Sequence, residues 1–245
     1  MQPLFSDAHF ADLLARLRGH SVGLVHNRHG NWGDGLIERA TLELFRRNGV
    51  VCRLLREKEI STGRWPEGIT LIAEPGGGNL GARPGLASPR RRKLLAALAG
   101  PKIILPQTAS DAGEDLSAFE TVYVREETSL RILRTAHADV RLVPDLALLL
   151  EFPPSSPIHE EGLFLRGDLE RLGAGGTDPA KTAASVEEYV RLAGSYRRVV
   201  TNRLHFAVAA LLQGQVAVLR PSNYHKNLSM FETWLHRFPN CFWGG

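Results

Sequence analysis

Cysteine is scarce in this chain, which limits the classes of protein that it can represent. Only Cys52 and Cys241 occur among its 245 residues. Two cysteines, one in a probable strand and one near the C-terminal end, make neither a disulfide framework nor a cysteine-rich metal centre. No cluster of His, Cys, Asp and Glu has the spacing of metal ligands either, so we expect no metal and no other cofactor.

Long apolar runs and a leader pattern are also missing. No segment approaches the roughly 18 consecutive apolar residues that a membrane span needs. The first seven residues lack the basic-then-apolar order of a secretory signal. With 43% hydrophobic and 23% charged residues, the composition is typical of a globular protein, and we expect it to be cytoplasmic.

The motifs of nucleic-acid and nucleotide binding are missing as well. There is no basic stripe studded with aromatic residues and no zinc-finger spacing, so we expect no nucleic-acid partner. The glycine-rich segments lack the spacing of a P-loop or a dinucleotide fingerprint. A net charge of +4 suits an anionic ligand. The densest basic run, Arg90-Arg91-Arg92-Lys93, is predicted to be a solvated segment rather than a binding site.

Short apolar runs alternate with helical patterns along the chain, which predicts an α/β fold with a parallel, doubly wound sheet. The predicted strands of the first part cover residues 21–25, 50–54, 70–74, 102–106, 121–124 and 140–143. The proline-rich segment 151–157 is predicted to be a linker, which gives two lobes, 1–150 and 158–245. In the second lobe we expect strands at 162–165, 198–201 and 215–219 and helices at 180–192 and 227–236.

The segment 199–212 is the strongest candidate for a functional site. Its first half reads as a buried strand and its second half as a helix packed on a sheet. Arg203 lies where the helix begins, beside unpaired backbone N–H groups that favour an anion. His205 adds an imidazole with an ordinary pKa near neutrality. The alternative is that both side chains only cap and pack the corner between strand and helix.

Other polar residues follow the predicted strands of the first lobe. Asp34 stands near a helix start, where it either caps the helix or offers a carboxylate to a ligand. Arg125 is either an anion contact or the ion-pair partner of Glu126 or Glu127. Because ligands of open α/β sheets gather at the carboxyl ends of the strands, we expect one edge to collect polar and glycine residues: Asp34, Gly76, Gly77, Gly78, Asn79, Gln107, Arg125 and Asp145.

Taken in order, these motifs resemble the polysaccharide pyruvyl transferase family. The resemblance rests on Gly30-Asn31-Trp32-Gly33-Asp34, Gly76-Gly77-Gly78-Asn79, Pro106-Gln107-Thr108, Val124-Arg125-Glu126-Glu127-Thr128-Ser129, Pro144-Asp145-Leu146-Ala147, Leu165-Arg166-Gly167-Asp168, Thr201-Asn202-Arg203-Leu204-His205 and Asn223-Tyr224-His225-Lys226-Asn227 with Trp234. It implies two Rossmann-like lobes in a GT-B-type arrangement, the first on the acceptor side and the small second lobe on the donor side. The second lobe is shorter than the family leads us to expect, and 173–177 reads as a trimmed loop.

The resemblance also implies an activity and a set of site residues. Family members move the enolpyruvyl unit of phosphoenolpyruvate onto two hydroxyls of one sugar and release phosphate. The acceptor would be a saccharide, lipid-linked in some cases, with peripheral contact at the inner face of the membrane. The implied catalytic residues are His205, Asp34 and Arg203. The implied substrate-binding residues are Arg166, Arg125, Leu204, Lys226, His225, Asn31, Gly77, Gly78, Asn79 and Gln107, with His26 and His29 as further acceptor-side candidates.

Two alternatives stay open at this point. One is a nucleotide-sugar glycosyltransferase with the same architecture, because a fold does not fix its chemistry. Such an enzyme needs a carboxylate for the ribose hydroxyls and a base-stacking pocket, and neither is evident. The other is a non-catalytic protein that binds a glycan or an anion.

Overall fold

The computed structural model describes residues 4–27, 31–81, 88–168 and 176–245. The chain divides into two compact units. The N-terminal unit comprises residues 5–27 and 37–146, and the C-terminal unit comprises residues 147–245 together with Leu4 and residues 31–36. None of the helices within the described ranges has the length and hydrophobicity that crossing a membrane requires.

The N-terminal unit is built on a seven-stranded sheet in which every pairing is parallel. Its strands are β1 (Ser21–Val25), β2 (Val51–Leu55), β3 (Leu71–Glu74), β4 (Gly77–Leu80), β5 (Lys102–Ala109), β6 (Thr121–Val124) and β7 (Val140–Leu142). The order is β2-β1-β3-β5-β6-β7, and β4 pairs with β5 outside this path. Since the order reverses between β1 and β3, the switch point of this doubly wound sheet lies there.

A 3-10 helix at Asp7–Phe10 and helix α1 (Ala11–Leu17) precede β1. Helices α2 (Trp32–Arg47), α3 (Glu57–Ile60), α4 (Ser88–Ala96) and α5 (Glu127–Leu133) each lead from one strand to the next, as parallel crossovers require. Strands β3, β5 and β6 are buried along their whole length. Near-continuous burial is expected of strands in a parallel sheet, and it explains their Ile-, Leu- and Val-rich sequences.

The C-terminal unit has a four-stranded parallel sheet of order β11-β10-β9-β8. Its strands are β8 (His159–Phe164), β9 (Tyr196–Thr201), β10 (Val216–Leu219) and β11 (Cys241–Trp243). Its helices are α6 (Pro179–Thr182), α7 (Val186–Gly194), α8 (Leu204–Leu212) and α9 (Lys226–Thr233), with 3-10 helices at Leu146–Leu149 and Leu235–Arg237. Helix α8 is apolar on all sides and buried from Leu204 to Leu211, which identifies it as the central helix of this unit.

The predicted α/β fold with parallel strands is confirmed, and the structure differs from the sequence-based expectations at several places. The glycine-rich segment after β3 leads into a strand that the sequence did not predict, β4. A Cβ at Gly76 would lie 2.9 Å from the carbonyl oxygen of Pro106, so the glycine permits a close backbone approach. Strand β5 continues to Ala109 and includes Gln107. The helix predicted at 180–192 is two helices, because Ala183 leaves the helical conformation and Ser185 caps α7.

The expectation of a solvated basic run is wrong for Arg91 and Arg92. Both are buried. Arg91 forms a bidentate pair with Glu74, with Nη2 2.6 Å from Oε1, and Arg92 forms a bidentate pair with Glu114. Arg92 also donates to the carbonyl oxygen of Asn79 at 2.7 Å. The pairs join α4 to β3 and β4, so this run stabilises the sheet edge from within.

Candidate active site

The carboxyl ends of β8 and β9 bring two arginines together in the C-terminal unit. Because the strands are parallel neighbours, the residues that follow them share one edge. Arg166 comes two residues after β8, and Arg203 occupies the position before α8 in an extended conformation. The backbone N–H of Arg166 donates to Oδ1 of Asn202 at 2.8 Å. The predicted transition from strand to helix around Arg203 is therefore confirmed.

Two aspartates bind these arginines. Nη2 of Arg203 donates to Asp178 at 2.8 Å and to Asp168 at 3.0 Å. Arg166 forms a bidentate pair with Asp168, both contacts at 2.8 Å. We call these four residues the arginine cluster. Only 5% of Arg203 is exposed, so its buried positive charge needs the neighbouring carboxylates to compensate it.

Asp178 is the fixed carboxylate of the arginine cluster. It accepts hydrogen bonds from the backbone N–H groups of Gly167 and Ala180 as well as from Arg203. Burial acts to raise the pKa of Asp178, but the Arg203 guanidinium and the two N–H groups outweigh it, and the pKa lies below its ordinary value. The carboxylate is therefore ionised over the working range of most enzymes. Burial also raises the pKa of the neighbouring Tyr189, which stays neutral.

His205 lies in the first turn of α8 against the first turn of α2. A Cβ at Gly33 would lie 2.6 Å from Nδ1 of His205, so the imidazole packs where a larger residue would have its side chain. The turn is anchored in the same unit because Nε1 of Trp32 donates to the carbonyl oxygen of Ala183 at 2.8 Å. His205 is 8% exposed.

Asp34 belongs to the same compact unit as His205. We expected it on the first lobe, but residues 31–36 group with the C-terminal half of the chain. Asn31 precedes the helix and caps it: its Oδ1 accepts from the Gly33 N–H at 3.2 Å, and its Nδ2 donates to Asp34 Oδ2 at 3.3 Å. The capping side chain is thus Asn31, and the half-exposed Asp34 is its neighbour.

The start of α9 lies beside the same strand ends. Nδ2 of Asn227 donates to the carbonyl oxygens of Asn202 and Arg220 at 2.8 and 2.9 Å. Lys226 is buried, with its Nζ 5.2 Å from the centre of the Tyr224 ring. His225 immediately precedes the helix, and Leu204 is buried at the start of α8. The structure therefore links the predicted donor-side residues through one sheet edge.

The acceptor-side candidates His26, Asn79 and Gln107 lie in the N-terminal unit. Gly77, Gly78 and Asn79 form part of β4. Gln107 is fully buried, donates to the carbonyl oxygen of Pro75 at 2.7 Å and accepts from the Asn79 N–H at 3.0 Å. Its amide therefore holds the segment that leads into β4.

Arg125 is also held within the N-terminal unit. It is 1% exposed, pairs with Asp145 at 2.7 Å and donates to Thr108 Oγ1 at 2.9 Å. The expected ion-pair partners were Glu126 or Glu127; Asp145 is the residue that we did not anticipate, and Glu126 caps α5. Arg125 thus joins the ends of β5, β6 and β7 at one sheet edge.

Sequence reasoning missed two carboxylates that contact predicted residues. Nδ1 of His26 lies 2.8 Å from Oε2 of Glu38, which also accepts from the Asn27 N–H at 3.0 Å. Nothing distinguishes Glu38 from any other helical glutamate in sequence. Asp178, the partner of Arg203, had a signal, because an aspartate before a proline is typical of a helix start. His29 lies outside the described residues.

The described parts of the chain contain no recognisable group of metal ligands. No group of three or more His, Cys, Asp and Glu side chains within them is arranged to hold an ion. The polar groups at the candidate site are guanidinium, imidazole and carboxylate groups. Such groups bind anions and transfer protons.

Comparison with known proteins gives a fold and a family. A similar solved structure is that of a functionally uncharacterised protein from Klebsiella pneumoniae subsp. pneumoniae NTUH-K2044, with 22% identity, 98% of each chain covered and a TM-score of 0.70; at this identity the likeness shows the fold alone. A search of curated proteins finds no match. The family model described as polysaccharide pyruvyl transferase matches residues 31–219, a range that includes Asp34, the arginine cluster and His205. The chain therefore belongs to the polysaccharide pyruvyl transferase family and is a transferase.

Proposed function

We propose that this protein transfers the enolpyruvyl group of phosphoenolpyruvate onto a sugar of an exopolysaccharide or cell-surface glycan precursor, as a cyclic ketal, and releases phosphate. One observation carries the proposal: the arginine pair Arg166–Arg203, the His205 imidazole and the Asp34 carboxylate belong to one compact unit. Membership of the family supports the same activity.

The donor carries a carboxylate and a phosphate, which guanidinium groups bind in bidentate fashion. Arg203 and Arg166 are the proposed receptors for these anions. His225 and Lys226 belong to the donor side because α9 begins at the same sheet edge, and Leu204 provides an apolar neighbour. These assignments place phosphoenolpyruvate in the C-terminal unit.

The reaction needs two proton transfers that balance. The methylene carbon of the donor takes up one proton and becomes a methyl group, while one sugar hydroxyl oxygen forms a bond to the central carbon. The second hydroxyl oxygen bonds to the same carbon as the carbon–oxygen bond to phosphate breaks. Of the two hydroxyl protons, one balances the new methyl group and one leaves with the phosphate. No oxidant or reductant takes part.

His205 and Asp34 are the proposed proton-handling groups. A phosphate bound nearby favours the charged imidazole, so His205 is suited to protonate the methylene carbon. Asp34 holds or deprotonates a sugar hydroxyl, with Asn31 fixing its carboxylate. Positioned acid–base groups of this kind contribute about 10²–10⁴-fold to a rate.

The acceptor belongs to the N-terminal unit in this proposal, near Arg125, Gln107 and the segment Gly77-Gly78-Asn79. The hydrogen bonds of Gln107 assign its side chain to holding β4, so the backbone of β4 is the better acceptor contact. The GT-B-type arrangement of a larger acceptor lobe and a smaller donor lobe belongs to the same proposal. So do a cytoplasmic location and contact with a lipid-linked acceptor at the inner face of the membrane.

Phosphate release tests the proposal directly. We expect the wild-type protein to release inorganic phosphate from phosphoenolpyruvate only with a saccharide acceptor present. Arg203→Ala and His205→Ala should abolish turnover, and His205→Gln should do the same while keeping the shape of the side chain. Arg198→Ala is the matched control, because this arginine lies on β9 with an exposed partner, Glu161.

Thermal stability separates this activity from a nucleotide-sugar reaction. Phosphoenolpyruvate should raise the melting temperature of the wild-type protein, because a ligand that binds only the folded state stabilises it. A nucleotide diphosphate sugar should leave it unchanged. Near-normal phosphate release by either Ala variant would show that the residues are assigned wrongly, and stabilisation by the nucleotide sugar alone would contradict the proposed donor.

A further inference from the structure

The two carboxylates of the arginine cluster differ in how exposed their side chains are. Asp178 is 7% exposed at its side chain and is bound by two backbone N–H groups in addition to Arg203. The side chain of Asp168 is 37% exposed, and its carboxylate contacts Arg166 at 2.8 Å and Arg203 at 3.0 Å. Asp178 is part of the framework, whereas Asp168 reaches the same guanidinium groups from the solvent side.

The contacts of Asp168 with the two arginines are those that an anionic ligand would make. Its two oxygens receive Nε and Nη2 of Arg166, a bidentate pair, and one of them also receives Nη2 of Arg203. Carboxylate and phosphate oxygens fit this arrangement of donors equally well. Two guanidinium groups that converge on a single exposed carboxylate therefore form an anion site that the chain fills with its own side chain.

We propose that Asp168 is a built-in competitor for the anion that binds to Arg166 and Arg203, and that it sets the charge an incoming ligand must carry. Its carboxylate leaves the two guanidinium groups when the ligand binds and returns when the ligand departs. The identity of the natural ligand rests on the proposed function. The competition itself rests on the geometry of the arginine cluster alone.

The short covalent connection between Asp168 and Arg166 explains why this competition discriminates between anions. Asp168 is separated from Arg166 by one residue, so its carboxylate is present at a high effective concentration. A free monoanion such as acetate offers the arginines no more than Asp168 does, and it also loses its translational freedom on binding. A phosphate dianion offers more charge and a third acceptor oxygen, so it displaces the carboxylate. Asp168 thereby makes the site selective for multiply charged ligands.

Titration with inorganic phosphate and with acetate tests this proposal. Wild-type protein, Asp168→Asn and Asp168→Ala are compared by isothermal calorimetry, with Asp178→Asn as the matched control. We expect both Asp168 variants to bind phosphate about three- to tenfold more tightly than the wild type, since the energy of an exposed ion pair is recovered. They should also acquire measurable acetate binding. Asp178→Asn should show neither gain, because its carboxylate belongs to the framework.

A double variant tests whether the gain in phosphate affinity depends on Arg203. Adding Arg203→Ala to Asp168→Asn should remove the gain, because the second guanidinium is then missing. Phosphate binding by the Asp168 variants that equals or falls below that of the wild type would overturn the proposal and make Asp168 a support for the arginines. Absence of phosphate binding in every protein would overturn it as well. The proposed function fails separately, through absence of phosphate release from phosphoenolpyruvate, whichever way these titrations turn out.

Discussion

At the scale of single residues, Gly33 has a steric requirement that no other amino acid meets. A Cβ there would meet Nδ1 of His205 at 2.6 Å, a distance at which one of the two groups must move. Gly33→Ala should therefore shift the imidazole and lower kcat by roughly 10²-fold, the cost of a misplaced catalytic group. Steady-state phosphate release measures the effect. An unchanged kcat would show that the position of His205 does not matter for the reaction.

Gly35 provides the matched control for that variant. A Cβ at Gly35 would meet Cγ2 of Val186 at 2.7 Å, so Gly35→Ala crowds the same helical turn against an aliphatic side chain. We expect Gly35→Ala to lower stability as much as Gly33→Ala does, with a much smaller loss of kcat. Unfolding in urea, followed by circular dichroism, gives the stability of both proteins.

Asp178 makes the stability of the C-terminal unit depend on pH. Its pKa in the folded protein lies below the ordinary value of 3.8, so its stabilising contribution is present above that value and is lost as the pH falls through the folded-state pKa. Asp178→Asn should lower the free energy of unfolding by about 3 kcal/mol near neutral pH, because a buried arginine loses its partner. Urea titrations over a pH series should show the two proteins converging as the pH falls below 3.8. A constant difference would contradict this origin.

Arg203 and His205 were singled out because they follow a predicted strand, and Arg166 was implied by the family resemblance. The structure places Arg166 after β8 and Arg203 after β9, and their roles in a reaction stay predictions. The partners of Arg203 and His26 were not predictable, because Asp178 and Glu38 lie 25 and 12 residues away from them. Local patterns carry no information about contacts at such separations.

At the scale of elements, helix α4 depends on a buried set of charges. Glu74 is fully buried and faces Arg91 and Arg92. Glu74→Gln should lower the free energy of unfolding by about 3–5 kcal/mol, because it removes the bidentate counter-charge of the buried Arg91. Denaturant unfolding checks this. Glu43→Gln, which breaks the exposed pair with Arg39 in α2, should change stability by less than about 0.5 kcal/mol.

Strands and helices were predictable where apolar periodicity is strong. Where it is weak, glycine-rich and basic segments led to wrong predictions. The triple glycine after β3 reads as a loop because glycine disfavours strands, yet parallel pairing with β5 makes it β4. The basic run of α4 reads as solvated because arginines are mostly exposed, yet the buried Glu74 of β3 binds Arg91 and the partly buried Glu114 binds Arg92. In both places a tertiary partner decides the outcome, and the sequence of the element does not contain it.

At the scale of the whole molecule, the two compact units do not follow the order of the chain. Residues 31–36 group with residues 147–245, more than a hundred positions later in the sequence. No linker marks this change, because helix α2 continues through it from Trp32 to Arg47. A boundary drawn from composition finds proline-rich segments such as 151–157 and cannot find a division within a regular helix. Asp34 was therefore assigned to the first lobe by its sequence position.

The net charge of +4 gives a prediction for the protein as a whole. A basic molecule attracts a multiply charged anionic donor. Salt screens this attraction, because the Debye length falls from about 10 Å at 0.1 M ionic strength to about 3 Å at 1 M. The Kd for phosphoenolpyruvate should rise about tenfold over that range, while the KM for an uncharged saccharide acceptor stays constant. Calorimetry and initial rates at several salt concentrations measure both. An equal rise in both constants would point to a general effect of salt on folding.

The Asp168 carboxylate also has a practical meaning for chemists. It outlines, in the protein's own atoms, the position of an acidic group 2.8 Å from Arg166 and 3.0 Å from Arg203. A small scaffold that carries a phosphonate at this point would have to evict the aspartate, so compounds with a single weak acid make poor leads. Inhibitor screens are therefore better run first on Asp168→Asn, where compounds of lower affinity are detected. A second screen on the wild type then selects the compounds that displace the Asp168 carboxylate.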